Sequence, residues 1–306
     1  MPVETPLVSI GILSYNQPED IRRAIESVLA QTYTNLEILI SDNGSTTLES
    51  ARVIMEYASR DARFRPFLHK VNRGPNFNMQ FLVEQATGKY FCWLAGDDAF
   101  SSNFIADCVD VLETDENLVL ASNMPVITGE NKPVPLKYVP DTRGINNLEK
   151  YELVLDHIFS DINLFYYSVI RLDTLKKCQL HYKKLFGSDV LLMLELLAYG
   201  DFAINKDKPG YLYTIHEGQA SGSPARYKKV ALVNNPGFIE TRLFFSAYIG
   251  YMIDLVWSRQ DLKKSVRKKI IQKIISLFFR SKRYHMIKYD LGINPLIQFL
   301  KKARIK

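Results

Sequence analysis

Tyr90-Phe91-Cys92-Trp93-Leu94-Ala95-Gly96-Asp97-Asp98 is the stretch on which the reading of this chain turns. Five consecutive apolar residues, Tyr90 to Leu94, predict a strand buried on both faces. The run stops at a glycine and two adjacent carboxylates. Open α/β sheets bind ligands outside the carboxyl ends of their strands, so an acidic pair in that place sits where chemistry is done. Adjacent carboxylates repel unless a proton or a cation neutralises them. Hard oxygen ligands suit Mg2+ or Mn2+, ions that keep several waters and bind substrate phosphates. The plainer alternative is a polar turn in which Asp98 or Ser101 caps the next helix.

On the amino-terminal side, Leu7 to Tyr15 is rich in β-branched residues and predicts a first buried strand. Asn16-Gln17-Pro18-Glu19-Asp20 starts a helix, with a proline in the first turn and acids at the positive dipole end. Ile21, Ala24, Ile25, Val28 and Leu29 repeat along one face of it. Leu36 to Asp42 predicts a second strand, ending in the turn signal Asn43-Gly44-Ser45. A helix at 48–58, a short strand at 64–69 and a helix at 78–86 lead back to the opening stretch. This alternation predicts a parallel sheet with right-handed crossovers.

Beyond the acid pair, a helix is expected at 103–113 and a strand at 118–124. Residues 125–147 contain four prolines and two glycines without a clear period, as in a long substrate lid. A helix at 148–159 and an aromatic-rich strand at 164–170 follow. Gly187-Ser188-Asp189 opens a very apolar helix over 190–198, and strands are expected at 202–204 and 209–216. After Ser221 the pattern is wholly helical.

The chain has 306 residues, of which 47% are hydrophobic and 12% aromatic, enough for a sizeable core. Cys92, Cys108 and Cys178 lack metal-binding spacing and read as inert core thiols of a reducing compartment. The start has no charged segment followed by an apolar one, and the weakly polar run Leu243 to Trp257 is too short for a span and carries Asp254. The expectation is a cytoplasmic protein. The net charge of +6 conceals an asymmetry: residues 259–306 carry +13 and residues 1–258 carry −7. An acidic body with a basic tail is a statement about partners.

Several separated motifs agree in order and spacing: Val8-Ser9-Ile10 through Tyr15-Asn16, Ser41-Asp42-Asn43-Gly44-Ser45, Asn72-Arg73-Gly74, Ala86-Thr87-Gly88-Lys89-Tyr90 into Gly96-Asp97-Asp98, and Gly187-Ser188-Asp189. With these, roughly the first 220 residues resemble the family 2 glycosyltransferases, nucleotide-sugar enzymes of the GT-A fold. The resemblance implies that Tyr15 packs on the nucleotide base beside Asn16, that Asp42 with Asn43 accepts hydrogen bonds from the base, and that Arg73 reaches the base or a phosphate. It implies that Asp97 faces the ribose and that Asp98 binds a Mn2+ or Mg2+ bridging the diphosphate. It makes Asp189 the base that deprotonates an acceptor hydroxyl for in-line, inverting attack, and sets His216 near the diphosphate or metal. The bland alternatives are a strand-end aromatic for Tyr15, a turn with Ser45 for Asp42, a solvated Arg73, a helix cap for Asp189 and a structural His216.

Family members often read Asp-x-Asp-Asp where this chain has Ala95-Gly96-Asp97-Asp98, so the first acid is missing. That departure supports the competing reading of a non-catalytic binding or scaffold module with the same fold. The joint presence of Asp42, Asp98 and Asp189 opposes it. A nucleotidyltransferase would carry a Gly-rich basic loop after the first strand, where this chain has Ser14-Tyr15-Asn16-Gln17. A processive polysaccharide synthase would need membrane spans and a Gln-x-x-Arg-Trp stretch. The resemblance implies a catalytic unit over 1–222, with a nucleotide-sugar half at 1–124 and an acceptor half at 125–222, followed by a basic helical region at 223–306. A UDP-sugar donor and a glycan or lipid-linked acceptor in cell-surface polysaccharide or glycan assembly are the partners implied. Within the tail, Ile270, Ile274 and Phe278 form one apolar row and Ile271, Ile275 and Phe279 the next, opposite a basic face. This pattern predicts an interfacial helix on the anionic inner face of the cell membrane. The alternative is packing on the catalytic body or a homo-oligomer contact.

Overall fold

The computed structural model describes residues 5–128, 139–160, 163–178, 188–215 and 244–280. Strand β4 (Tyr90–Ala95) lies inside a sheet of order β3-β2-β1-β4-β7-β6-β8-β5, and its residues Tyr90 to Leu94 are all buried. Phe91 and Trp93 enter one hydrophobic cluster while Tyr90, Cys92 and Leu94 enter another. The period-2 alternation of a strand thus feeds two helical layers at once, which is why the run carries no polar residue.

β1 (Val8–Ser14), β2 (Leu36–Asp42), β3 (Phe64–Leu68) and β4 pair in parallel, as the βα alternation requires. The helices joining them are α1 (Pro18–Leu29), α2 (Glu49–Ala58) and α3 (Pro75–Gln85). α3 begins three residues before the expected start, because Pro75 is accepted at the first helical position, where no N–H bond is lost. β3 is an edge strand, and its Pro66 suits a place where one ladder is missing.

Past the acid pair the sheet becomes mixed. β5 (Ala99–Phe100) runs antiparallel to β8, and β7 (Val169–Arg171) runs antiparallel to both β4 and β6. α4 (Phe104–Thr114) separates β5 from β6 (Leu118–Thr128), so the loop expected from 125 begins later than predicted. Residues 129–138 of that loop lie outside the described residues. α5 (Asn147–Ser160) follows. The strand expected at 164–170 is instead a 3-10 turn, Leu164–Tyr167, leading into the short β7. The aromatic run Leu164-Phe165-Tyr166 is buried in the turn, so burial rather than extension explains its composition. α6 (Leu172–Lys177) and α7 (Ser188–Leu196) come next. The two strands expected at 202–204 and 209–216 are one, β8 (Asp201–Thr214), whose pairing with β6 shifts register near Asn123 and Met124. Such irregularities hide a continuous strand from a periodicity count.

Helices α1, α2 and α4 cover one face of the sheet, and α3, α5, α7 and the two last described helices cover the other. Those last helices are α8 (Phe244–Ser258) and α9 (Lys264–Arg280). Here the expectation of an interfacial stripe is corrected: Ile270, Ile274 and Phe278 are 0%, 0% and 3% exposed, buried in the same cluster as α5 and α7. Lys273 pairs with Asp156 of α5 at 2.9 Å and pins the helix there. The stripe is apolar because it faces the body.

Candidate active site

β1, β2 and β4 end level with one another: Ser14 pairs with Asp42 and Leu13 with Ala95. The order β2-β1-β4 places β1 at a reversal of strand order, where a crevice opens beyond the carboxyl ends. Tyr15, Asn16, Asp42, Asn43, Asp97 and Asp98 all leave the sheet at this one edge.

Asn16 adopts φ 55°, a left-handed conformation that asparagine tolerates better than most residues. Its N–H donates to Ser45 Oγ at 2.8 Å, and its Oδ1 accepts from the Thr46 N–H at 2.7 Å. Tyr15 beside it is 38% exposed over the crevice edge. Asp42 is buried and takes hydrogen bonds on both oxygens from Ser45, from its N–H at 3.1 Å and from its hydroxyl. The turn with Ser45 anticipated as the alternative is therefore formed. Gly44, at φ 72°, lies so close to the backbone of Val71 that a Cβ would fall 2.6 Å from its carbonyl carbon. No side chain fits there.

Asn43 acts as a clasp for the loop after β3. Its Nδ2 donates to Asn72 Oδ1 at 3.1 Å and to the Gly74 carbonyl at 3.0 Å, and its Oδ1 accepts from the Arg73 N–H at 3.1 Å. The exposed Arg73 guanidinium lies 4.7 Å over the Phe77 ring, aimed by stacking rather than by an ion pair. His69, not singled out from the sequence, sets Nε2 3.0 Å from Ser41 Oγ, and burial and the nearby Arg73 hold its pKa below the ordinary value.

Asp98 is 2% exposed. Tyr211 donates its hydroxyl to Oδ2, and the Thr214 N–H donates to Oδ1 at 2.7 Å. Both partners lie on β8, so Asp98 is not the cap of α4; Asn103 occupies that position. Burial is the main cause that lifts the carboxyl from its ordinary 3.8 to about 7, with Asp97 adding to it and the two hydrogen bonds and Arg23 opposing. Asp97 itself is half-buried. Gly96 holds the turn: a Cβ there would sit 2.5 Å from the Leu13 carbonyl oxygen. Arg23 of α1 braces the same turn, donating to the Asp97 carbonyl and reaching Thr214 Oγ1 at 3.4 Å. Arg23, Tyr211 and Thr214 were not legible as site residues: strand alternation sets the Tyr211 and Thr214 side chains on opposite faces, and Thr214 reaches Asp98 through its backbone N–H.

Asp189 stands in the first turn of α7, half-buried, where Asn163 donates Nδ2 to its Oδ2 at 3.4 Å. The Tyr167 ring stacks on Tyr211 with centroids 4.3 Å apart and planes 12° from parallel. Burial raises the Tyr167 phenol far above its ordinary pKa, and the charges of Asp98, Asp97 and Asp189 add to the effect. One neutral phenol therefore feels the charge of all three carboxylates. Behind it the rings continue to Tyr166, at 5.6 Å and 87°, and from Tyr166 to Trp93, at 4.7 Å and 10°. His216 lies outside the described residues.

Among the described residues, no three His, Cys, Asp or Glu side chains converge as a ready metal cluster. The donor set nevertheless suits a divalent ion. Each Asp98 oxygen accepts one bond here and has a further lone pair, and its buried charge is incompletely balanced. A cation that takes its remaining ligands from water and phosphate oxygens needs no larger protein cage.

Residues 9–171, more than half of the chain, match the family model described as Glycosyl transferase family 2. An uncharacterized glycosyltransferase of Rickettsia prowazekii (strain Madrid E) is 35% identical over 115 residues, 38% of this chain and 35% of that protein. The chondroitin synthase of Escherichia coli is 35% identical over 113 residues, 37% of this chain and 16% of its own length. These matches span about a third or less of the relatives' lengths. The crystal structure of S. aureus TarS 1-349 in complex with UDP-GlcNAc is similar with a TM-score of 0.67 and 13% identity, over 89% of this chain and 72% of that one. The mannosyltransferase PcManGT from Pyrobaculum calidifontis, in complex with GDP-Man and Mn2+, gives a TM-score of 0.53 at 12% identity, over 96% and 87%. At such identities the structural likeness speaks for the fold alone, and it agrees with the GT-A sheet and its flanking helices. By its sequence, the chain belongs to glycosyl transferase family 2.

Proposed function

We propose that the chain is an inverting glycosyltransferase that moves a sugar from a nucleoside-diphosphate sugar to an acceptor hydroxyl. The observation that carries this reading is Asp98, a buried carboxylate held by two donors from β8, at the sheet edge where Tyr15, Asn16, Asp42 and Asn43 also emerge. In this reading Tyr15 covers the base, Asp42 and Arg73 recognise it, and Asp97 meets the ribose. Asp98, and His216 from beyond the described residues, would hold a Mn2+ or Mg2+. When bound, that cation supplies Lewis-acid stabilisation of the departing diphosphate. Asp189 takes the proton from the acceptor hydroxyl as it attacks the anomeric carbon from the opposite side. The Tyr167 phenol is held neutral by its burial, so it adds no charge between the acids. A UDP-sugar is favoured because a fold neighbour was solved with UDP-GlcNAc, and polysaccharide assembly because a relative is named chondroitin synthase. The catalytic unit in this reading is 1–222, with 223–306 as its basic partner-binding region, which includes α8 and α9. α9 leaves a face open that carries Lys264, Lys268, Ile275 (40% exposed) and Phe279 (62% exposed). Its basic charge suits an anionic membrane holding a lipid-linked acceptor, and no described helix is long and apolar enough to cross one.

Mass-spectrometric screening of several nucleotide sugars, with and without Mn2+, tests the reaction. Release of the nucleoside diphosphate from one donor class, dependent on the cation and lost in Asp98→Asn, is expected. No turnover and no calorimetric binding of any nucleoside diphosphate would leave the non-catalytic alternative standing. Co-sedimentation with anionic liposomes at low and high salt, comparing the full chain with Phe279→Ser, tests the membrane face.

A further inference from the structure

The 3-10 turn Leu164–Tyr167, with Asn163 before it, is linked to both acidic centres of the site, to Asp189 through Asn163 and to Asp98 through Tyr211. Asn163, immediately before it, donates to Asp189. Tyr167, at its end, stacks on Tyr211, and Tyr211 donates to Asp98. The candidate base on α7 and the acid pair after β4 belong to different elements, and five consecutive residues connect them. The turn itself is rigidly seated: Leu164, Phe165 and Tyr166 are buried, Tyr166 stacks on Trp93, and the Tyr166 hydroxyl reaches Met79 Sδ at 3.4 Å. Ser168 closes its far end by donating to the Phe165 carbonyl at 2.7 Å.

Asn163 carries a second sign of function. Its Oδ1 is buried with no hydrogen-bond partner among the described residues. An unsatisfied buried acceptor costs about 1–3 kcal/mol. A smaller apolar residue would avoid that cost, so fold stability does not explain an amide here. What the amide does is hold a carboxylate.

We infer that Asn163 and Tyr167 are positioning residues, and that the turn between them sets the separation of the candidate base Asp189 from the acid pair. This rests on the reaction proposed above. Displacement at the anomeric carbon needs the attacking oxygen about 3–3.5 Å from the carbon and in line with the leaving group, and a misplacement of about 1 Å costs on the order of 100-fold. The acceptor is oriented from the α7 side and the donor from the β4 side. A stiff link between the two therefore acts on turnover rather than on the affinity for either ligand.

The test uses the full chain with the donor found in the screen, and calorimetry with the nucleoside diphosphate and Mn2+. Asn163→Ala and Tyr167→Leu are expected to lower the kcat for transfer about 10–100-fold, with KM for donor and nucleotide affinity within about 3-fold of the parent. Tyr167→Phe, which keeps the ring on Tyr211, is expected to restore transfer to within about 3-fold. Donor hydrolysis, in which freely diffusing water replaces the oriented acceptor, falls less than transfer in the two impaired variants. Equal loss in Tyr167→Phe and Tyr167→Leu would overturn the stacking argument, because the hydroxyl itself would then be at work. Near-parental kcat in Asn163→Ala, while Asp189→Asn is inactive, would also overturn the inference and leave the proposed reaction intact. Near-parental activity of Asp189→Asn would instead refute the reaction's assigned base. Far-ultraviolet circular dichroism and thermal melts separate misfolding from these outcomes, and Tyr167→Phe supplies a variant with an unchanged packing volume.

Discussion

The two sides of the crevice are built differently. On the nucleotide side, the contacts that shape the loops join residues 3 to 31 positions apart: Asp42 to Ser45, Asn16 to Ser45 and Thr46, and Asn43 to Asn72, Arg73 and Gly74. Where the donor and acceptor sides meet, Asp98 after β4 is held by Tyr211 and Thr214, 113 and 116 positions away, and Asp189 on the acceptor side by Asn163, 26 away. The first side ties each turn to the turn after the neighbouring strand of the parallel sheet. The second exists only when β8 and the 163–167 turn have docked. Substitutions on the nucleotide side should therefore act mainly on local loop stability. Those on the acceptor side should act on the geometry of the reacting groups.

The largest expected effect lies on the acceptor side. Asp189→Asn removes the candidate base and should lower transfer about 10²–10⁴-fold while leaving nucleotide binding unchanged. Steady-state kinetics beside calorimetry checks this; transfer within a few-fold of the parent would reduce Asp189 to a helix cap. Next comes the packing that supports that side. Ile274→Ala empties a fully buried site on α9 and should cost roughly 2–5 kcal/mol in urea denaturation. A loss under 1 kcal/mol would mean that α9 is an appendage and that the acceptor side is built without it.

The third prediction concerns pH. Folding raises the Asp98 carboxyl from 3.8 to about 7, so the folded chain holds a proton that the unfolded chain releases. The stability this contributes is complete below pH 3.8 and is lost as pH rises through about 7, on the order of 4 kcal/mol across the window. Asp98→Asn should remove that slope, and saturating Mn2+ with a nucleoside diphosphate should flatten it in the parent. Denaturation midpoints of parent and variant from pH 4 to 8 give the comparison, since the other carboxylates cancel in the difference. Parallel curves would show that Asp98 is ionised in the folded protein without a cation. The smallest effect belongs to the nucleotide side. Ser45→Ala deletes the hydroxyl shared by Asn16 and Asp42 and should cost about 1 kcal/mol with little change in kcat.

The same division separates what was legible in the sequence from what was not. The four parallel strands and three helices up to Asp98 follow from hydrophobic period, turn residues and a first-turn proline, all of which act over a few positions. The misreadings fall after it. The aromatic run Leu164–Tyr167 suggested a strand, because burial selects the same residues in a strand and in a buried turn. β8 looked like two strands, because its register shifts interrupt the alternation. The apolar row of α9 suggested a membrane face, since a helix that buries one side presents the same period whatever covers it.

By itself, the sequence determined the parallel α/β half, the edge at which its loops emerge, the acid pair and the family. These are local patterns, each readable within one element and its turn. Tertiary structure alone decided that Tyr211 and Thr214 hold Asp98, that a five-residue turn spans the distance to Asp189, and that Ile270, Ile274 and Phe278 face inward. Those facts depend on which surfaces meet across stretches of 26 to 116 residues of chain or more. Periodicity states that a face is apolar, and only the docked neighbour states what the face is for.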